Sequence, residues 1–172
     1  MNRRNFSKLA VMSGLIGLAP SKLFSTLKKD HHLKISLAQW SLHKAIKSGK
    51  LSGLDFAKKS RSFGIDGIEY VSGLYTTHSN LLEKMSMDKL SDELLKRSNN
   101  YGIDNVLIMI DGQGNLASSN KKERMLAIDN HERWIDFAVK LGCKTLRLNL
   151  NGDMNLEKWT DNSVKSLTTL SN

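Results

Sequence analysis

The sequence predicts an α/β fold in which strand–helix units repeat along the chain and the strands run parallel. Three helix-like stretches end on a glycine, and an apolar run follows each glycine at once. The glycines lie at positions 64, 102 and 142, so the repeat spacing is 38 and then 40 residues. Glycine often ends a helix because it adopts left-handed backbone angles without strain. A period of this length predicts repeated supersecondary units, whose strands are joined by right-handed crossovers.

The individual elements follow from the apolar runs and from the helix signals around them. We predict strands at 34–40, 65–71, 105–110 and 145–150 and helices at 54–63, 87–101 and 121–141, with an incomplete helix in the tail 156–172. Ser52 and Ser86 are the predicted N-caps of the first two helices, because a serine hydroxyl accepts a hydrogen bond from a free amide of the first turn. Loops are expected around His43, at 75–78 and, as a flexible polar segment, at 111–114.

The length of the chain limits how many such units it can hold. A closed barrel of eight units needs roughly 250 residues, whereas this chain has 172. We therefore expect a partial TIM barrel of about four of the eight units, in which residues 33–172 form a truncated N-terminal half. An open sheet exposes an unpaired edge and an apolar face. A homo-oligomer that closes a pseudo-barrel from two copies is the expected consequence.

The positive charge of the chain is concentrated near its start. The formal net charge is +9, of which residues 1–32 carry +5. No basic run is interleaved with aromatic side chains, so the composition argues against a nucleic-acid groove. Paired arginines at positions 3 and 4, followed by an apolar stretch too short to span a bilayer, resemble a twin-arginine export signal over residues 1–20. We expect a periplasmic protein, with a polar linker up to residue 32 and no membrane association once the signal is removed.

The single cysteine, Cys143, is interpreted as a small buried residue at a helix–strand junction. One thiol forms no internal disulfide, and no cysteine–histidine cluster has the spacing of a zinc site.

Two charged residues interrupt strands that are otherwise nearly continuously apolar. Glu69 and Arg147 each lie five residues after a repeat glycine, Gly64 and Gly142 respectively. They therefore occupy equivalent positions on the second and fourth strands, which contribute to the same interior layer of a barrel. Unpaired charges are costly in such strands. We expect the two side chains to lie on one face and to interact, directly or through a ligand, as an ion pair or as part of a substrate site.

Several segments taken together resemble a known family. They are AQWSLH at 38–43, GIEYV at 67–71, DGQG at 111–114, NHERW at 130–134 and LGCKTLRLN at 141–149. The set is similar to the xylose isomerase-like TIM-barrel superfamily, in particular the sugar phosphate isomerase/epimerase branch. The resemblance covers residues 33–152.

The resemblance implies that the intact protein is a metal-dependent isomerase or epimerase that moves a proton next to a sugar carbonyl, with a small-molecule carbohydrate as substrate. We expect the chain itself to be a truncated, inactive fragment of that enzyme. A divalent metal (Mn, Mg, Co or Zn) polarises the sugar oxygens in such enzymes. Its ligands come mostly from later strands, so we expect them beyond residue 172 and assign no metal ligand or catalytic residue here. The resemblance does transfer the first half of the pocket wall, as substrate-binding residues: Trp40, His43, Glu69, Asp111, Arg147 and Asn149.

Some alternatives stay open at this point. Trp40 either stacks on a sugar or closes the end of the barrel, and Asp111 either forms a turn or accepts a hydroxyl group. His131 shares a helical stripe with Trp134 and is interpreted as a packing residue. For the whole protein, the alternatives are a non-catalytic sugar-binding or structural TIM barrel and, less in keeping with an export signal, a DNA-repair endonuclease of the same superfamily.

Overall fold

The computed structural model describes residues 34–76 and 81–172. The export signal predicted for residues 1–20, the linker and His78 all lie outside these ranges. Within them, no helix combines the length and the apolar character needed to cross a membrane.

The described residues form four strands and seven α-helices. In chain order these are β1 (Ser36–Ala38), α1 (His43–Lys47), α2 (Phe56–Ser62), β2 (Gly67–Val71), α3 (Gly73–Thr76), α4 (Leu81–Lys84), α5 (Met87–Asn100), β3 (Asp104–Ile110), α6 (Lys121–Leu141), β4 (Thr145–Leu148) and α7 (Leu156–Leu170). Two 3-10 turns, Gln39–Leu42 and Gly53–Asp55, precede α1 and α2.

The four strands make one parallel sheet in the order β1-β2-β3-β4. Each strand pairs with the next along the chain, which is the order that successive units of a (βα) barrel produce. The sheet is open, because β1 and β4 are both edge strands of it. The predicted fold class, parallel (βα) repeats of a partial TIM barrel, is confirmed.

The helix signals read from the sequence act as predicted. The Ser86 hydroxyl accepts a hydrogen bond from the amide of Lys89 at the start of α5, and Ser52 caps the turn before α2. The bounds of α6 are those predicted, because Asn120 caps its start and Gly142 ends it with a φ of 75°. The other two repeat glycines have φ values of 72° and 59°. All three therefore occupy the left-handed region, which glycine enters without strain.

The helices cover one face of the sheet. Ile68 and Tyr70 of β2 and Ile108 of β3 are buried there together with aromatic side chains of α6. Leu146 and Leu148 of β4 also point to this side, where they pack against the buried clusters. Because side chains alternate along a strand, the residues between them point to the other face, here called the open face. Near the carboxyl ends of β2 and β3, Ile46 of α1 and Leu74 of α3 pack on this face against Val71 and Met109.

The prediction is wrong by two residues at four strand bounds and for two residues expected in loops. β1 and β2 begin at Ser36 and Gly67, both two residues late. β1 ends at Ala38 and β4 at Leu148, both two residues early. The chain leaves β1 early because the Gln39 amide is buried, where it donates a hydrogen bond to the Tyr75 hydroxyl over 2.7 Å and accepts one from the Val71 amide. His43 and Tyr75, expected in loops, lie in the short helices α1 and α3. No local pattern marks these contacts, which join residues more than 30 positions apart.

Candidate functional site

The open face of the sheet carries both of the charged strand residues. Ile68 and Tyr70 flank Glu69 and are buried on the helix side, and Leu146 and Leu148 flank Arg147 in the same way. Glu69 and Arg147 therefore share the open face, as predicted. Each has its own protein partner, however: the Glu69 carboxylate accepts a hydrogen bond from the Ser36 hydroxyl, and Arg147 pairs with Asp111. A direct pair between Glu69 and Arg147 is not formed.

Three of the predicted site residues meet at the carboxyl ends of β3 and β4. The Oδ1 atom of Asp111 accepts hydrogen bonds from Nη2 of Arg147 and from Nδ2 of Asn149, both over 2.8 Å. The side chains of Arg147 and Asp111 are 53% and 32% exposed, so the group is open to solvent. Among the residues that the structure describes, none bonds to the second oxygen, Oδ2. This set, here called the Asp111 cluster, has an unused acceptor beside unused guanidinium donors.

The register of the sheet explains why these residues meet. Ile110 of β3 is paired with Leu148 of β4, so Asp111 and Asn149 each follow directly at the same level. The backbone of Asp111 is fixed by Ser72, whose buried hydroxyl accepts from the Asp111 amide over 2.9 Å and donates to its carbonyl over 3.2 Å. The Asp111 carboxylate bonds to Arg147 and Asn149 rather than to its own turn, and its role as acceptor of a substrate hydroxyl group stays a prediction.

A second group lies beyond the end of β1. The rings of Trp40 and His43 stack with their centroids 4.5 Å apart and their planes 8° from parallel. Lys47 Nζ lies 5.0 Å from the Trp40 centroid, and 47% of Trp40 is exposed. The Nδ1 atom of His43 is 2.5 Å from the Trp40 carbonyl, which can only accept, so Nδ1 carries the proton. In the neutral ring, Nε2 is then the free acceptor.

The six predicted site residues therefore form three groups, two at the carboxyl edge of the sheet and one, Glu69, in the middle of β2. Trp40 and His43 follow β1, Glu69 lies on β2, and the Asp111 cluster joins β3 and β4. β1 and β4 are separated by three strand spacings, or about 14 Å. The structure brings Asp111, Arg147 and Asn149 into contact with one another and keeps the other three apart from them.

Sequence reasoning missed the residues that fix this edge. Ser72 and Gln39 are ordinary polar residues whose partners lie in other repeats. Gly152 and Asp153, which follow β4, contact the loop that follows β3. The predicted flexible loop at 111–114 continues into Leu116 and Ala117, which are fully buried. No periodic signal identifies such contacts, since each depends on the register between two strands.

The described residues do not supply a metal site. No group of three His, Cys, Asp or Glu side chains in residues 34–76 and 81–172 is arranged to hold a metal ion. Glu69 and Asp111 on the open face belong to separate groups. Within these ranges the donor set does not fit a divalent metal, and the metal expected for the intact protein stays a prediction.

The two remaining titratable residues singled out in the sequence are packing residues. Burial raises the pKa of the Cys143 thiol to about 11, so this side chain stays protonated at neutral pH. His131 is buried in α6 with its Nδ1 atom 2.7 Å from the Ala127 carbonyl, and burial lowers its pKa. The interpretation of His131 as a packing histidine is confirmed.

Comparisons with known proteins give structural matches alone. No family model matches the chain, and no curated protein matches it in sequence. The structure is similar to D-psicose 3-epimerase, solved in the presence of D-fructose, with a TM-score of 0.53 and 17% identity over 80% of this chain and 47% of the epimerase. It is also similar to a protein of Sinorhizobium meliloti 1021, with a TM-score of 0.54 and 16% identity over 80% of this chain and 45% of that one.

The chain thus spans about half the length of the solved structures it matches. At these identities the likeness establishes the fold. The described strands and helices have the fold of part of a TIM barrel.

Proposed function

We propose that this chain provides one wall of the carbohydrate site of a sugar isomerase or epimerase, which acts by proton transfer next to a carbonyl. The observation that carries the proposal is the Asp111 cluster, an ion pair on the open face of a barrel sheet with one carboxylate oxygen unused. Active sites of TIM barrels lie at this carboxyl edge of the strands. The similarity in fold to D-psicose 3-epimerase supports a ketohexose as the first substrate to test.

The unused atoms of the cluster match the chemistry of a sugar. A hydroxyl group both donates and accepts hydrogen bonds. The Oδ2 atom of Asp111 would accept from one hydroxyl, and the guanidinium of Arg147 has further N–H groups to donate to a neighbouring hydroxyl or carbonyl oxygen. Because Asn149 and Arg147 both hold Oδ1, the free oxygen has a fixed position. A fixed acceptor beside fixed donors orients a vicinal pair of sugar oxygens.

The residues after β1 would contact the other end of the ligand. The exposed part of Trp40 offers an apolar surface to the C–H face of a sugar ring, and His43 Nε2 offers an acceptor. Glu69, between the two groups, already accepts a hydrogen bond from Ser36. We assign these residues to binding and orientation and assign the proton transfer to none of them.

The proposal for the whole protein has further parts. A divalent metal polarises the carbonyl when bound, and side chains outside those that the structure describes would hold it. Export by the twin-arginine-like signal would place the protein in the periplasm. Two copies associating through their open sheets would cover the exposed face.

Solvent exchange tests the reaction. The chain is incubated with D-fructose and Mn²⁺ in D₂O, and deuterium at the carbons beside the carbonyl is followed by proton NMR, with binding measured separately by calorimetry. Saturable binding with deuterium incorporation supports an isomerase or epimerase. Binding without incorporation supports the sugar-site assignment, because no described residue is assigned to the metal or to the proton transfer. The absence of any binding by the folded chain overturns the proposal.

The matched variants are Asp111→Ala and Asp66→Ala. Both remove a carboxylate that pairs with an arginine, but Asp66 pairs with Arg61 at the opposite edge of the sheet. Sugar binding is expected to fall in the first variant and to stay at the wild-type level in the second. Equal losses in both variants would assign the effect to stability rather than to the site.

A further inference from the structure

The loops that follow β3 and β4 are joined at two levels. At the strand ends, the Asp111 cluster connects them through side chains. Farther out, Ala117 forms a parallel bridge with Gly152: the Ala117 amide donates to the Asn151 carbonyl over 3.0 Å, and the Asp153 amide donates to the Ala117 carbonyl over 3.1 Å. The outer contact consists of backbone hydrogen bonds of the kind found between parallel strands, although neither residue belongs to a strand of the sheet.

Gly152 is required for this approach. A Cβ atom at this position would lie 2.1 Å from the carbonyl carbon of Ala117, much closer than any side chain tolerates. Ala117 itself is fully buried, so it has no room to retreat. The two loops are therefore in backbone contact that a single methyl group would break.

Asp153 connects three parts of the structure at the same place. Its Oδ2 atom accepts a hydrogen bond from the Ser119 hydroxyl in the loop after β3. Its Oδ1 atom accepts from the Asn155 amide at the start of α7 over 2.8 Å. Asn162 of α7 in turn donates to the Ser119 hydroxyl over 3.5 Å. We call Ala117, Ser119, Gly152 and Asp153 the loop latch.

α7 forms hydrogen bonds to both loops next to the latch. The Ser166 hydroxyl donates to the Leu116 carbonyl and the Trp159 indole donates to the Leu150 carbonyl, both over 2.6 Å. Leu116 lies in the loop after β3 and Leu150 in the loop after β4, and each lies between the Asp111 cluster and the loop latch along the chain. Both loops are thus tied to the same helix.

We propose that Asp153 is a positioning residue, which holds the loop after β4 so that Asn149 and Arg147 stay on Oδ1 of Asp111 and leave Oδ2 free. Asn149 lies past the last paired residue of β4, so the sheet does not fix it. Within the segment from Asn149 to Asp153, Trp159 of α7 holds the Leu150 carbonyl, and the latch holds the far end against the loop after β3. Without the Asp153 carboxylate, Ser119 and the start of α7 lose their common acceptor. The inference rests on the proposed function only where Arg147 and Asn149 are taken as sugar contacts.

The test compares Asp153→Ala with Asp153→Asn in the full chain by NMR. In the alanine variant, the Ala117 amide is expected to exchange with solvent about tenfold faster, the loss of one charge-assisted hydrogen bond, and the side-chain signals of Asn149 and Arg147 should move toward those of free side chains. The asparagine variant should keep these signals near their wild-type positions, since its amide can accept from Asn155 and donate to Ser119. D-fructose binding should weaken in the alanine variant and be largely retained in the asparagine variant.

Two further variants serve as a charge control and as a substitute for Asp153→Ala. Asp161→Ala removes the same charge from an exposed position on α7 and should change none of these signals. If Asp153→Ala does not fold, Ser119→Ala removes the hydroxyl that donates to Asp153, together with its weak contact to Asn162, and should give the same changes at Asn149. Unchanged Asn149 and Arg147 signals in a folded Asp153→Ala variant would overturn the positioning role. Changed signals in a protein that binds no sugar would confirm the latch while overturning the proposed function.

Discussion

The two edges of the sheet use the same ion-pair chemistry in different ways. At the amino edge, Arg61 pairs with Asp66 and also donates to the carbonyls of Tyr101, over 2.8 Å, and Gly102. At the carboxyl edge, Arg147 pairs with Asp111, which also accepts from Asn149. Both arginines are partly exposed, with 41% and 53% of their side chains accessible.

The two arginines differ in the groups to which they donate hydrogen bonds. Arg61 binds the backbone carbonyls that end α5, where unpaired acceptors and a negative helix end both favour a cation. Its donors are used to hold the end of one repeat against another. The Asp111 cluster contacts no helix end, and among the described residues Arg147 bonds through Nη2 alone, whereas all three side-chain nitrogens of Arg61 are bonded. The Arg61 pair therefore stabilises the fold, whereas the Arg147 pair keeps hydrogen-bond donors that a ligand can use.

Gly152→Ala should have the largest effect, at the carboxyl edge. The added methyl group collides with the backbone of Ala117, which is buried. We expect the free energy of unfolding to fall by about 2–3 kcal/mol, as for other overpacked sites. Urea denaturation followed by circular dichroism measures this change. Gly73→Ala is the control, because its Cβ would meet no atom within 4 Å, and a similar loss in both variants would contradict the collision.

Asp111→Ala should weaken D-fructose binding by about tenfold, the loss expected when one charge-assisted hydrogen bond to the ligand is removed. Calorimetry on the wild type and the variant measures the dissociation constants. The free energy of unfolding should change less than it does in Gly152→Ala, since the exposed pair contributes little to stability. A variant that binds D-fructose like the wild type would remove Asp111 from the site.

Arg61→Ala, at the amino edge, should lower the stability of the fold without weakening D-fructose binding. We expect the free energy of unfolding to fall by about 1 kcal/mol, because the carbonyls of Tyr101 and Gly102 lose a charged donor but remain open to water. D-fructose affinity should equal that of the wild type. Thermal denaturation together with calorimetry checks both values. Weaker sugar binding in a folded Arg61→Ala protein would contradict the division between the two edges.

The smallest predicted effect is a pH dependence in the loop latch. The hydrogen bond from Ser119, with that from the Asn155 amide, lowers the pKa of Asp153 below its ordinary value of 3.8. A depressed carboxyl pKa stabilises the fold above the unfolded value, and this contribution is lost as the pH falls through the folded value. The difference in Tm between the wild type and Asp153→Asn should therefore be small and constant above pH 4. It should shrink at lower pH, and a difference that grows there would contradict the assignment.

The fold could be predicted from the sequence because its signals are local. Asn120 and Gly142 fix the ends of α6, and alternation along β2 and β4 places Glu69 and Arg147 on one face. The contacts that build the site are not local. The bonds from Arg147 and Asn149 to Asp111 span 36 and 38 residues, and the one from Ser119 to Asp153 spans 34. Such contacts depend on the register between β3 and β4, which no single segment encodes.

The central claim, that the Asp111 cluster binds a sugar, is tested most directly by titrating D-fructose into the ¹⁵N-labelled chain while following the side-chain Nε–H signals of Arg147 and Arg61. We expect the Arg147 signal to shift saturably, the Arg61 signal to stay in place, and the shift to be absent in Asp111→Ala. An unmoved Arg147 signal at saturating sugar, or equal shifts at Arg147 and Arg61, would contradict the claim.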